Sequence, residues 1–467
     1  MSLDLSPEEF LRLAGRTTQL GVDYLRRLDG LPIQPAASGD VLASAFGGDP
    51  PERGRGEAVV DLLRTVVDGA RAQNGRFLGY VMGSGEPSGA AADLLASVLN
   101  QNLTGWRSSP SGVTLERTVV RWLAGAIGCG GFTGSLTGGG SAANLMGLAM
   151  AREAKAPANE RGARGGVVYA SEESHMSIGK AVALLGLGRD NLRAIPVDSD
   201  FRMRADLLAD AIRQDRAAGR LPMAVVASAG TVATGAVDPL ARIADVAERE
   251  GLWLHVDGAY GALAAMVAPE TIGPLARADS LSLDPHKWLY QPVDCGCLLF
   301  QDPAAARRAF SHTGDYTRSF TDDPIEGFAF FDESLELSRR FRALRLWTSI
   351  QYHGLEAFRG AMRRDLAHAR ALADRVAREP ALELLAPVAL SAVCFRHRFA
   401  HATDARNAEL LGAVNRRGRV YLSNATIRGS FALRACFVNH RTTDADVAAV
   451  VEEVLAAAPQ LAGARAP

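Results

Sequence analysis

Ser280-Leu281-Ser282-Leu283-Asp284-Pro285-His286-Lys287-Trp288 is the stretch on which the reading of this chain turns. A short alternating apolar run breaks at Asp284 into a polar cluster, and a second apolar run, Cys297 to Phe300, follows soon after. Lysine is normally a solvated surface charge. Set beside Trp, Pro and His between two buried strands, Lys287 is expected to be partly withdrawn from water, which makes its amine a candidate nucleophile for a carbonyl. The ordinary surface reading stays open on this stretch alone.

Outward from that point, β-branched and apolar runs alternate with longer helical stretches from about Thr114. That pattern predicts an α/β fold with a mostly parallel sheet. The clearest strands are Gly166 to Ala170, Met223 to Ser228, Leu252 to Val256 and Cys297 to Phe300. The first 75 or so residues read as helical and lack an obvious core of their own; Ser6, Pro7 and Glu9 spell a capped helix start. Helical periodicity from Arg339 to about Arg378 carries the chain into a small α+β region. There Val393 to His397, Val420 to Leu422 and Phe431 to Cys436 read as strands, and Thr443 opens a last helix.

Composition excludes several classes. The 467 residues are 48% apolar and 22% charged, with a formal net charge of -1, so neither disorder nor a basic nucleic-acid stripe is expected. No leader and no bilayer-length apolar run is visible, which points to a cytoplasmic protein without a membrane partner. The five cysteines are scattered. Cys295 and Cys297 stand two apart, where an extended backbone holds their side chains apart, which makes them a poor disulfide or metal clip. Reduced, packed thiols and no metal site are expected.

Three further segments carry chemistry. His255-Val256-Asp257-Gly258-Ala259-Tyr260 ends a strand in a carboxylate where an open α/β sheet binds its ligands, with Ala259 small enough for a flat ring to come close. Thr137-Gly138-Gly139-Gly140-Ser141-Ala142-Ala143-Asn144 is a glycine turn entering a helix, a ready anion site that fits neither dinucleotide nor Walker spacing. Ser174-His175-Met176-Ser177 adds an imidazole, and Thr231 a hydroxyl at another strand end. Each has a bland alternative: a cap for Asp257, a tight turn for Gly140 and Ser141, a satisfied structural histidine for His175, a strand terminator for Thr231. Together they are what pyridoxal 5'-phosphate requires: an amine to hold it, a carboxylate for its ring nitrogen, an aromatic face and a phosphate cradle.

Taken together, Asp284-Pro-His-Lys-Trp288, His255 to Tyr260, Ser171-Glu-Glu-Ser-His175, Trp106-Arg-Ser-Ser-Pro110, Arg339-Arg-Phe-Arg342 and Phe431 to Arg434 resemble the aromatic L-amino-acid decarboxylases, the group II pyridoxal-phosphate decarboxylases of fold type I. The likeness runs from about Phe77 to Val447. It implies a helical N-terminal dimerisation segment (residues 1–85), a large cofactor domain with a mixed, mostly parallel sheet (86–350), and a small α+β domain (351–467). It further implies a homodimer acting on an amino acid, with Lys287 as the Schiff-base lysine, Asp257 on the pyridine nitrogen and His175 on the ring face. Gly140, Ser141, Thr231, Ala259, Asp284 and His286 complete the cofactor contacts, although Asp284, where many relatives carry Asn, would place a negative charge near the phosphate.

The same likeness sets Phe77, Tyr80 and Trp106 around the substrate side chain, which favours an aromatic one. In the family a loop before the Arg-Arg-Phe-Arg motif carries a tyrosine that protonates the product. Counting back from Arg339, that place falls near Phe330, and Glu326 to Asp332 contains no tyrosine; Tyr316 lies upstream. Decarboxylation to the amine is therefore the leading expectation. The alternatives are decarboxylation coupled to oxidative deamination, giving an aldehyde, and a regulatory protein that binds the cofactor without turnover.

Overall fold

Val168, Ala170, Ala224, Val226, Leu298 and Phe300 turn to one face of a sheet, while Tyr169, Val225, Ala227, Leu254, Val256 and Leu281 turn to the other. Strands that bury both faces read as continuous apolar runs, which is why they were legible. The computed structural model describes residues 3–35, 37–163, 165–312 and 323–462. Its large sheet comprises β1 (Thr133–Thr137), β2 (Val167–Ser171), β3 (Leu192–Ile195), β4 (Pro222–Ser228), β5 (Trp253–Asp257), β6 (Ser280–Leu283) and β7 (Gly296–Phe300). They lie in the order β1-β7-β6-β5-β4-β2-β3. From β3 to β6 neighbours are parallel, and β7 is antiparallel to both β6 and β1. This is the α/β architecture of fold type I.

One helix, Gly140–Lys155, lies across β4, β5, β6 and β7. Its close approach depends on glycine. A Cβ on Gly147 would come within 2.5 Å of the His255 ring, and one on Gly140 within 2.6 Å of Ala259 Cβ.

The second sheet contains β8 (Leu382–Leu384), β9 (Ala392–His397), β10 (Ser423–Ile427) and β11 (Ser430–Cys436), all antiparallel, in the order β10-β11-β9-β8. The strand expected at Val420 to Leu422 is displaced: the paired segment begins at Ser423. Arg428 and Gly429, with φ of 50° and 80°, make the two-residue turn whose twist suits a hairpin. That turn sets the register, and Ser423, Ala425 and Ile427 face inward while Asn424 and Thr426 face out.

Helix Arg342–Arg378 joins the two sheets and bends at Gly354, where φ is 74°. Near the N-terminus, helix Pro7–Arg27 starts in the expected Ser6/Glu9 capping box yet buries none of its residues. All five cysteines are free and buried.

Arg339 and Glu116 form an ion pair at 2.5 Å with both side chains shut off from solvent. Arg339 also donates to the Leu103 and Leu136 carbonyls, and Glu116 accepts from the Leu136 amide. These bonds offset part of the cost of burying the two charges, while Arg339 Nε and Glu116 Oε2 stay buried without a partner. It ties β1 to the helix Pro110–Ala126 and to the segment leading into Arg342–Arg378.

Two predictions follow from this packing. Alanine favours a helix over glycine by about 1 kcal/mol, whereas forcing a methyl into a filled site costs about 1–3 kcal/mol. Gly147→Ala should therefore destabilise the protein. Gly360→Ala, whose Cβ would meet only Arg364 Nη1 at 3.8 Å, should be neutral or stabilising; denaturant midpoints decide both.

The second concerns Asp365, buried in helix Arg342–Arg378, which accepts from the Tyr290 hydroxyl at 2.8 Å. Burial pushes its acid up to about 7. The native state therefore holds a proton that the unfolded carboxyl releases near its ordinary value of about 3.9. Its contribution is complete below that value and is lost as pH rises through about 7. Asp365→Asn should match the wild type in thermal stability at pH 4 or below and exceed it increasingly toward pH 8.

Candidate active site

The parallel strands deliver their last residues to one place. Ser228 ends β4, Asp257 ends β5 and Asp284 follows β6, all at carboxyl ends, where open α/β sheets bind ligands. The glycine turn before helix Gly140–Lys155 closes the other side, its first N–H groups unused by the helix itself. Between them is a cavity of about 490 Å³. Its lining includes Gly140, Ser141, His175, Thr231, Asp257, Ala259, Asp284, His286 and Lys287, so the nine residues assigned to the cofactor from sequence face one space.

Lys287 stands on the single turn Pro285–Trp288, with Nζ 3.0 Å from Asp284 Oδ2. Trp288 is fully buried beneath it and stacks on Tyr260, with ring centres 6.0 Å apart and planes within 7°. Asp284 Oδ1 is buried without a hydrogen-bond partner and comes within 3.5 Å of where a Cβ on Gly140 would sit.

Asp257 has three donors. Asn144 Nδ2 reaches Oδ2 at 2.9 Å, and Ser282 Oγ and the Ala259 amide each reach Oδ1 at 3.2 Å. All three donors are uncharged.

His175 caps helix Met176–Leu184, its Nδ1 accepting from the Ser177 amide at 3.3 Å. Burial lowers the pKa of its imidazolium below the ordinary value; Asp257 opposes this and Lys287 adds to it. The Thr231 hydroxyl is 3.0 Å from that of Thr234 and accepts from the Ala236 amide at 3.2 Å.

These residues fit pyridoxal 5'-phosphate: an amine, a hydrogen-bonded carboxylate and an anion-binding turn around a space that a Cβ at Gly140 would invade. Bound there, the cofactor supplies a conjugated ring that accepts the electron pair left when carbon dioxide departs.

Phe77, Tyr80, Trp106 and Phe330 do not line the cavity within one chain. Phe77 stacks on Tyr421 with centres 5.2 Å apart, and the half-exposed Tyr80 shares a 3.1 Å hydrogen bond with the Tyr421 hydroxyl. Trp106 borders a surface groove with Trp347. Phe330 requires a correction. It is 0% exposed, lies 4.0 Å beneath the Arg339 guanidinium and meets Phe328 edge-on. The buried charge of Arg339 needs an aromatic cover, and Phe330 supplies it; counting back from the arginine motif ignored that contact. Tyr316 lies outside the described residues. Conversely, Asn144, quoted in the glycine turn without a role, touches Asp257 directly, and only its place one helical turn past that motif hinted at it.

The described pyridoxal-dependent decarboxylase conserved domain matches residues 56–398. An aromatic-L-amino-acid decarboxylase of Bacillus atrophaeus is 32% identical over 98% of both chains, and a phenylacetaldehyde synthase of Petunia hybrida is 30% identical over 92% of this chain and 90% of its own. Among solved structures, Oryza sativa TDC with PLP and tryptamine superposes with a TM-score of 0.92 at 27% identity, covering 99% of this chain and all of the other. With this fold, this cavity and these likenesses, the chain belongs to the pyridoxal-dependent decarboxylases, enzymes that use pyridoxal 5'-phosphate to remove carbon dioxide from an amino acid.

Proposed function

We propose that the enzyme converts an aromatic L-amino acid to its amine, with Lys287, Asp257 and His175 as the working residues. The observation that carries this is the convergence of all three on one cavity, with the Lys287 amine held 3.0 Å from the Asp284 carboxylate. Lys287 would hold the cofactor covalently through its amine. Asp257 would keep a proton on the ring nitrogen, His175 would cover the ring face, and Gly140 and Ser141 would hold the phosphate at the helix N-terminus.

The names of the two relatives, an aromatic-L-amino-acid decarboxylase and a phenylacetaldehyde synthase, support an aromatic side chain. Val81, Val232 and Val293 add apolar wall to the cavity. In this proposal residues 1–85 form a dimerisation segment, 86–350 the cofactor domain and 351–467 the small domain. A homodimer is supported by Phe10, Leu11, Val41, Phe46, Leu62 and Val66, all exposed on the N-terminal helices. It would bring Phe77, Tyr80 and Trp106 into reach of a partner's substrate. We also propose a cytoplasmic location, for which the five free thiols speak. Among the described residues no helix is long and apolar enough to cross a membrane.

A second reading, decarboxylation coupled to oxidation, which consumes O₂ and water and releases the aldehyde with CO₂, ammonia and H₂O₂, is favoured by the phenylacetaldehyde synthase likeness.

Lys287→Ala should lose the visible absorbance of covalently held cofactor and all turnover, and Asp257→Ala should lose several orders of magnitude in kcat; near-native rates in either would remove that residue from its role. The reaction itself is tested by supplying a panel of L-amino acids and measuring CO₂, amine, aldehyde and H₂O₂ under air and under nitrogen. Stoichiometric amine with no peroxide from an aromatic substrate is expected; oxygen-dependent aldehyde would establish the second reading. Phe330→Tyr should leave the product ratio unchanged, since its side chain is core.

A further inference from the structure

Asn144 is 1% exposed and contacts the surroundings of both Asp257 and His175. Its Nδ2 lies 2.9 Å from Asp257 Oδ2 and 3.0 Å from Ser177 Oγ, and its Oδ1 lies 2.9 Å from His255 Nε2. Ser177 Oγ is in turn 2.8 Å from His175 Nδ1. On the far side, His255 Nδ1 is 2.8 Å from Ser280 Oγ, which receives the Trp253 indole N–H at 2.9 Å.

The hydrogens in this chain have one consistent placement. An ionised carboxylate only accepts, so the Asn144 atom facing Asp257 is the NH₂ group, and its second hydrogen goes to Ser177 Oγ. Ser177 has accepted there and has a single hydrogen, which it gives to His175 Nδ1. The Ser177 amide points at the same nitrogen. A neutral imidazole that accepts at Nδ1 carries its hydrogen at Nε2. The other branch agrees. Ser280 accepts from Trp253 and donates to His255 Nδ1, which leaves His255 Nε2–H to donate to Asn144 Oδ1. Burial pushes His255 down to about 4, so it stays neutral with one hydrogen.

We infer that Asn144 is a positioning residue that links Asp257 to His175 through Ser177 and fixes His175 as the Nε2–H tautomer. The inference rests on the roles proposed above for Asp257 and His175. A flipped Asn144 amide would set its oxygen against the Asp257 carboxylate, so the same anion assigned to the ring nitrogen also decides which imidazole nitrogen bears a hydrogen. With Nδ1 occupied by Ser177, the Nε2 hydrogen is the one that His175 can offer to a group bound in the cavity.

The test reads the tautomer directly, by ¹⁵N chemical shifts of the imidazole in histidine-labelled holoenzyme, with the His175 signals assigned from their loss in His175→Phe. Wild type is expected to show a protonated Nε2 and a bare Nδ1. Ser177→Ala, a small change that keeps the Asn144–Asp257 contact, should raise the Nδ1–H population several-fold, as should Asn144→Leu; Ser177→Thr, which restores a hydroxyl, should return it to the wild-type value. A wild-type spectrum with the hydrogen on Nδ1, or no change in Ser177→Ala, would overturn the inference. The proposed role of His175 fails separately, if His175→Phe turns over at the native rate, and that result leaves the tautomer measurement standing.

Discussion

The distance between helix Gly140–Lys155 and the sheet is the constraint from which the site follows. Gly147 lets the helix press against His255 and Gly140 lets its first turn meet Ala259. At that separation Asn144 reaches Asp257 and the helix N-terminus opens onto the space above the strand ends. One packing distance thus places an anion-binding turn and a hydrogen-bonded carboxylate on opposite sides of the same cavity. Both glycines are needed because a methyl group on either would have to move backbone-anchored neighbours in a filled interior.

Charge inside the cavity is arranged by pairing. Asp284 faces the Lys287 amine, Asp257 is met by three uncharged donors, and the imidazoles of His175, His255 and His286 are all held toward neutrality, burial being the largest cause in each. The cavity lining carries one lysine and three carboxylates, Asp257, Asp284 and Glu336, the last paired with Arg342. At the rear, the Arg339–Glu116 pair is sealed from water and anchored to backbone carbonyls, which fixes the segment preceding Arg342–Arg378.

Much of this was legible because buried parallel strands are apolar along their whole length and stop abruptly at polar residues. β2, β4, β5 and β7 stood out for that reason, and Asp257 at the end of β5 and Thr231 just past β4 face the cavity. β10 did not, since Ser423-Asn424-Ala425-Thr426-Ile427 buries only alternate, mostly small side chains and its position is fixed by the turn at Arg428 and Gly429. Phe330 was misplaced because a count along the chain carries no information about Arg339 folding back over it. Asn144 was passed over because its function lies in contacts to three residues distant in sequence: Ser177, His255 and Asp257.

The five buried thiols also bear on durability. Burial pushes Cys129 up to about 11 and Cys295 and Cys394 up to about 12, and it raises Cys297 as well. The thiolate is the form that attacks alkylating agents and peroxides, so these four sulfurs are nearly inert at neutral pH. Electrophiles and peroxides in the surrounding solution would therefore meet little thiolate on this protein. Oxidative wear would fall instead on thioethers such as Met82 and Met176, which stand open to solvent.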